Sequence, residues 1–432
     1  MSIAFPCGGK GICGGCVVFL GEKAPLPTAA DRKHLSPEKL REGWRLACRL
    51  PEKLLKELNA GNPQKAPVSV LSSGADLSGI TFPMPEDILA IDLGTTTIAM
   101  TGYSHHDGRA LTNWTGLNPQ RAFGADVLSR LAAAEEGAAG ELKRLVEEAL
   151  LTGIRECLGH MDNACTYIAG NTAMLHLLWG YPTETLGKAP FRPYSVSSGI
   201  LKSGEYELHF PPCFSVFVGA DIFADLYGIP IKNDKRFLLI DLGTNGEIVY
   251  GNGNHFTCTA TAAGPAFEGG VSAGVFGADL VGFLAKLLRE GSMDHTGLLR
   301  DPYFEEGTLL KTEAAEVLLT QKDIRQLQQA KAAIAAGIGL LTEGQEPPEK
   351  VYLAGGFGYY LNPEDAAVIG LIPEEYVPLC VSPGNAVLPG LLHYAADAGA
   401  REKELLQKAE VINLAEQVGF EERYIENLNF PG

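Results

Sequence analysis

ILAIDLGTTTIAMTGY, residues 88–103, decides the reading of this sequence, because FLLIDLGTNGEIVYGN, residues 237–252, repeats its pattern. Each copy runs through apolar, strand-forming residues into Asp-Leu-Gly-Thr and then into more strand-like sequence, so each reads as a buried strand, a tight glycine turn and a second strand. Asp92 in the first copy matches Asp241 in the second. A repeat of this length implies two similar half-domains facing each other.

Outward from the repeat, strand and helix alternate. A long amphipathic stretch at about 122–160 predicts helix, and TYIAGNTAMLHLLWG (166–180) predicts a strand turning into a helix at Gly170-Asn171. After the second copy, 320–341 predicts helix, and VYLAGGFGYYL (351–361) predicts strand, glycine turn and helix. This alternation marks an α/β protein. Between Pro51 and Pro85 the sequence is rich in proline, with Ser-Ser-Gly at 72–74 and no sustained apolar period, which predicts a linker. The expected organisation is a cysteine-rich module at 1–58, a linker at 59–86, a first half at 87–235 and a second at 236–432.

Composition bounds the function. At 432 residues, 46% hydrophobic and 20% charged, the chain can build two or three packed domains. No apolar run approaches the roughly 18 residues of a membrane span, and MSIAFP lacks the basic start of a signal peptide, so a cytoplasmic protein without a membrane partner is expected. A net charge of −17 argues against nucleic acid. Residues 1–58 carry 10 Lys+Arg against 6 Asp+Glu, leaving 25 against 46 elsewhere, which reads either as variation in solvated surface or as a docking face for an anionic partner.

The paired turns suit a triphosphate clamped from two sides. Gly94 and Gly243 permit close backbone approach, Thr95, Thr96, Thr97, Thr244 and Asn245 offer donors, and Asp92 and Asp241 can hold a hydrated Mg²⁺. Glu247, six residues after Asp241, is a candidate to orient an attacking water; its alternative reading is a surface residue at a strand end. AAGPAFEGG, with Gly264 and Glu268, and LAGGFG, with Gly355 and Gly356, fit the adenosine half. His105 and His106, beside Asp107 and Gly108, read as solvent-exposed turn residues.

CGGKGICGGC places Cys7, Cys13 and Cys16 at C-x5-C-x2-C spacing, and Cys48 follows alone. Plant-type [2Fe-2S] ferredoxins use C-x4-C-x2-C with a distant fourth cysteine, and the extra residue here resembles the adrenodoxin-like branch. The intervening glycines let backbone amides approach an anionic cluster. A zinc site and a glycine loop with incidental thiols are the competing readings, although zinc sites more often pair two Cys-x2-Cys units or add histidines. Only six residues precede Cys7 where such ferredoxins carry a hairpin and a helix, so a truncated module with a labile cluster is expected. The other five cysteines, Cys157, Cys165, Cys213, Cys258 and Cys380, are scattered in apolar or small-residue surroundings and read as core residues.

Two Asp-Gly-Thr turns followed by a late Gly-Gly turn resemble the superfamily of acetate kinase, sugar kinases, heat-shock chaperones and actin (ASKHA), over about residues 88–396. With CGGKGICGGC, GWRLAC, NPQRAFGADVLSRL, AGNTAMLHLL, GPAFEGG, AKAAIAAGI and LAGGFG taken as one series, the whole chain is similar to the reductive activators of corrinoid enzymes. The resemblance implies a duplicated actin-like, ribonuclease H-like ATPase body with a small α+β ferredoxin-type module. It further implies ATP-driven delivery of one electron through a [2Fe-2S] cluster to a corrinoid protein of a methyltransferase system, returning Co(II) to Co(I). An upstream electron donor and a homodimer through the ATPase body belong to the same picture. A plant-type cluster lies near about −400 mV, and each further 100 mV costs roughly 2.3 kcal/mol per electron, so the coupling has an energetic purpose. The C-terminal stretch has no cysteine, and no second cluster is expected. A small-molecule kinase and a nucleotide-sensing redox module are the alternative readings.

Overall fold

The computed structural model describes residues 11, 16–51, 54, 79–243, 245–261, 263–268, 275, 277–312, 316–356 and 358–432. Two six-stranded sheets organise the body. In the first, β3 (Asp87–Leu93), β4 (Thr97–Tyr103), β5 (Ala110–Leu117), β6 (Ala164–Gly170), β7 (Gly199–Ser203) and β8 (Tyr206–Phe210) lie in the order 5-4-3-6-8-7. The second contains β9 (Phe237–Leu242), β10 (Gly246–Gly251), β11 (Phe256–Thr261), β14 (Lys350–Ala354), β15 (Cys380–Val381) and β16 (Ala409–Val411), in the order 15-14-9-10-11-16.

The repeat in sequence is therefore a repeat in topology. In each sheet a hairpin strand ending in Asp-Leu-Gly pairs antiparallel with its successor and parallel with a strand reached through a long helix: β3 with β4 and β6, β9 with β10 and β14. β3 and β9 are apolar nearly throughout because helices cover both faces, and a strand buried on both sides loses the alternation that a half-exposed strand keeps. The crossover helices are Ala139–Leu158 and Gln321–Thr342. The second starts at Thr320, whose hydroxyl accepts from the Asp323 amide while the Asp323 carboxylate accepts in return from the Thr320 amide, a reciprocal cap.

Two helices join the halves. Ala220–Gly228 sends Ala220 and Ala224 into the core of the first sheet and Ile222 and Leu226 into that of the second. Val387–Ala396, although late in sequence, packs Val387, Leu388, Leu391 and Leu392 into the first-half core. Their backbones touch at glycine: a Cβ on Gly390 would collide with the Ala224 carbonyl, and one on Gly228 would lie 2.6 Å from the Ala386 oxygen. That close crossing brings the start of each helix to the site described below.

At the front, β1 (Val17–Phe19) pairs antiparallel with β2 (Trp44–Leu46), flanked by the helices Ala29–His34 and Pro37–Glu42. A further hairpin joins β12 (Thr308–Lys311) to β13 (Glu316–Leu319).

Three expectations change. The stretch at 122–160 is not one helix: Val127–Ala133 and Ala139–Leu158 are separated by a wide turn in which Gly137 takes φ 102°, a conformation that breaks α-helix geometry. After LAGGFG comes the short 3-10 turn Gly358–Tyr360, and an α-helix begins only at Pro363. Of the two histidines in the expected turn, His106 is exposed, but His105 is only partly so, because its ring Nδ1 and its backbone amide both contact the buried Asp87 carboxylate, at 2.7 and 2.8 Å. Residues 59–78 of the expected linker lie outside the described residues.

Candidate functional site

The first Asp-Gly turn leaves β3 and the second leaves β9, and both open onto one cavity between the halves. Asp92, Gly94, Thr95, Thr96 and Thr97 line one wall, Asp241, Gly243, Asn245 and Glu247 the other, and Gly355 and Gly356 an edge. The residues predicted from the two turns and from LAGGFG thus meet, apart from Thr244, which lies outside the described residues. Gly264 stands just ahead of the 3-10 turn Pro265–Glu268 and is not among the described residues that line the cavity, and the Glu268 side chain lies outside the described residues.

The two turns differ in length by one residue. In the first, Leu93 faces Ile98 and Asp92 faces Ala99; in the second, Leu242 faces Gly246 and Asp241 faces Glu247. The shorter loop therefore sets a carboxylate across from Asp241 where the first half has a methyl group. Glu247 is 6% exposed and lines the cavity, so it is no surface residue.

Sequence reading missed several residues here. Asp221 and Asp225 enter from the start of the Ala220–Gly228 helix, and Asn171 from the cap of the Thr172–Trp179 helix, where its Oδ1 accepts from the Met174 amide and its Nδ2 donates to Thr95 Oγ1 at 2.9 Å. Asn385, before the Val387–Ala396 helix, donates to Asp92 Oδ2 at 2.6 Å. Tyr359 and Tyr360 stand edge-to-face at 4.9 Å beside Gly355 and Gly356. Asp221 and Asp225 belong to the apolar-looking GADIFADLYG, and only the crossing of the two helices turns that segment towards the turns.

Five carboxyl groups now share one buried space. Burial pushes Asp92 up to about 7, offset by the Asn385 donor, and pushes Asp221 up to about 7 with help from the Asp241 charge. Asp225, Asp241 and Glu247 are also raised, chiefly by burial. Among the described residues neither Asp225 oxygen has a donor, although the residue is fully buried, and the neighbouring Asp241 charge pushes its carboxyl further up. A cation would favour the ionised forms instead. Among the described residues no three such groups converge closely enough to enclose a metal by themselves. Gly355 takes φ +83°, and a Cβ there would lie 2.6 Å from both the nitrogen and the oxygen of Leu242, so the Gly-Gly turn passes directly against β9.

At the front, the Ala47 amide donates to the Cys16 carbonyl at 2.7 Å, which sets Cys16 and Cys48 at neighbouring strand ends. Asp31, 1% exposed, braces this end by accepting from the Leu46 amide at 2.7 Å. Cys16 is buried and Cys48 half-buried against the same small apolar cluster. Cys7 and Cys13 lie outside the described residues. Among the described residues no helix is long and apolar enough to cross a membrane.

Twin sheets with facing Asp-Gly turns, a crossing helix pair and an acid-lined cavity define an actin-like protein of the ASKHA class. Residues 88–234 match the family model "RACo middle region", and residues 235–279 and 271–432 match "C-terminal domain of RACo the ASKHA domain". The chain belongs to the reductive activators of corrinoid enzymes. It is 31% identical to the corrinoid activation enzyme RamQ of Eubacterium limosum, covering 67% of this chain and 61% of the length of RamQ. The solved structure of a reductive activator for a corrinoid, iron-sulfur protein superposes with TM-score 0.71 at 23% identity, over all of this chain and 94% of the other, which bears on the fold. Over 48 residues, 11% of each chain, it is 42% identical to a component of the Na⁺-translocating NADH-quinone reductase of Chlamydia trachomatis.

Proposed function

We propose that this protein is an ATP-hydrolysing reductive activator that passes single electrons to the Co(II) of a corrinoid protein, returning it to Co(I). The observation that carries this reading is the convergence of the Asp92 and Asp241 turns on one carboxylate-lined cavity, in a chain that also sets Cys16 beside Cys48. In this reading Gly94 to Thr97 and Gly243 to Asn245 bind phosphate oxygens, Gly355 and Gly356 lie against the adenosine, and Glu247 aligns the attacking water. Asp92 and Asp241 would orient a hydrated Mg²⁺, which supplies charge neutralisation at the phosphates. Cys7, Cys13, Cys16 and Cys48 would hold a [2Fe-2S] cluster, which supplies one-electron chemistry at low potential. An upstream donor reloads that cluster, a methyltransferase system owns the corrinoid protein, and two copies of the chain associate through the ATPase body.

ATP can drive the reduction only by binding one arrangement of the complex better than another. The helices Ala220–Gly228 and Val387–Ala396 meet the cavity at their starts, and the first packs into both cores while the second packs on the first half, so closing the turns around a triphosphate would shift the halves relative to each other. Mixing the reduced protein, a Co(II) corrinoid protein and ATP under anaerobic conditions should raise the Co(I) absorption band while phosphate is released. Equal Co(I) yield without ATP would remove the coupling, and transfer of the phosphoryl group to a small acceptor would replace this reading with a kinase.

A further inference from the structure

The first Asp-Gly turn is held from behind by a single stretch of chain. Three successive carbonyl oxygens in it accept bonds from residues 118–130: Gly94 O from Asn118 Nδ2 at 2.9 Å, Thr95 O from Arg130 Nη2 at 2.6 Å, and Thr96 O from the Asn118 amide at 2.9 Å. In a trans peptide the carbonyl and the following N–H point in opposite directions. Pinning these three oxygens on one side therefore turns the amides of Thr95, Thr96 and Thr97 to the other, and successive amides facing one way make a concavity for an anion.

The two side chains are built for this work. Asn118 and Arg130 are both fully buried. Asn118 Oδ1 accepts from the Gln120 amide at 3.0 Å, which fixes its amide group with Nδ2 towards Gly94. Arg130 also donates through Nε to Gly124 O at 3.1 Å and contacts Met174 Sδ at 3.2 Å, so its guanidinium plane is set by groups on three sides. A guanidinium kept behind the turn adds positive potential where an incoming polyphosphate would sit.

We propose that Asn118 and Arg130 are positioning residues for the polyphosphate of the nucleotide, holding the amides of Thr95, Thr96 and Thr97 in an anion-binding arrangement before the ligand arrives. The proposal rests on the cavity's binding of ATP. Neither side chain lines the cavity, so both act through the turn.

The test is calorimetric titration of the full chain with ATP, ADP and adenosine in the presence of Mg²⁺, for the unsubstituted protein, Asn118→Asp and Arg130→Lys. Asn118→Asp keeps the size and the bond from Gln120 but removes the donor to Gly94; Arg130→Lys keeps the charge but loses the fork. The expected result is at least about a tenfold rise in Kd for ATP and ADP, with adenosine affinity within a factor of about two and KM for ATP rising more than kcat falls. Unchanged ATP affinity, or an equal loss for ATP and adenosine, overturns the proposal. Should Arg130→Lys fail to fold, Asn118→Asp decides alone. If the unsubstituted chain binds no ATP, the nucleotide reading of the cavity falls, and this proposal with it.

Discussion

The turn after β3 and the turn after β9 are copies in sequence and opposites in design. The first is longer by one residue, faces Asp92 with Ala99, and has its carbonyls tied down by Asn118 and Arg130. The second is shorter, faces Asp241 with Glu247, and carries a bond across itself from the Gly243 amide to Asn245 O at 3.0 Å. Glycine is also demanded unequally: a Cβ on Gly94 would lie 2.7 Å from the Thr97 oxygen, whereas on Gly243 the nearest atom would be 3.7 Å away. A duplicated scaffold has thus been differentiated: one turn is braced from behind, and the other faces its aspartate with a second carboxylate.

The largest effect expected along this divide is on turnover. Glu247→Gln keeps the size but removes the base, and should cut ATP hydrolysis by about 10²–10³-fold, while ATP affinity changes by less than about threefold. Steady-state phosphate release together with titration separates the two quantities. A variant hydrolysing at the parental rate would leave the second turn without its assigned role.

Stability should follow the glycine contrast. Gly94→Ala forces the turn against Thr97 and should cost about 1–3 kcal/mol, whereas Gly243→Ala should stay within about 0.5 kcal/mol; denaturant unfolding measures both. Equal costs would mean that the two turns are held alike. Smaller again is Ala99→Glu, which makes the first turn resemble the second by adding a carboxylate opposite Asp92. It should weaken ATP binding about tenfold, or 1.4 kcal/mol, most visibly at low Mg²⁺.

The last effect concerns pH. Asp221 is pushed up to about 7 by burial first and the Asp241 charge second, so in the metal-free folded chain it holds its proton well above the ordinary carboxylate range. A raised pKa contributes stability that is full below the unfolded value near 3.8 and is lost as pH climbs through about 7. Asp221→Asn escapes that loss. Its melting temperature relative to the parent should therefore rise between pH 5 and pH 8 in chelator, and addition of Mg²⁺ should shrink the rise.

Much of the fold was legible because its signals are local. The apolar runs before Asp92 and Asp241, the turn from strand to helix at Gly170-Asn171 and the helix from about 320 depend on neighbours a few residues away, and each appears in the structure where the sequence puts it. The expected single helix at 122–160 failed because the glycine at 137 outweighed an amphipathic pattern that continues on either side of it. Glu247 could be singled out by its distance from Asp241, but its cross-strand pairing with that residue depends on a loop one residue shorter than the first, and so on register.

What the sequence alone determined is the duplication, the α/β class, the two Asp-Gly turns and the cysteine spacing, since all are written as patterns along the chain. What only the tertiary structure decided is the company those turns keep. Asp221 and Asp225 reach the cavity from a helix that looks like core, Asn385 comes to Asp92 from 293 residues away, and Asn118 and Arg130 stand behind a turn that precedes them by more than twenty residues. The physical reason is burial. A buried carboxylate or guanidinium is tolerable only where the completed fold supplies its partners, and those partners are fixed by helix crossings and strand register that no single stretch of sequence contains.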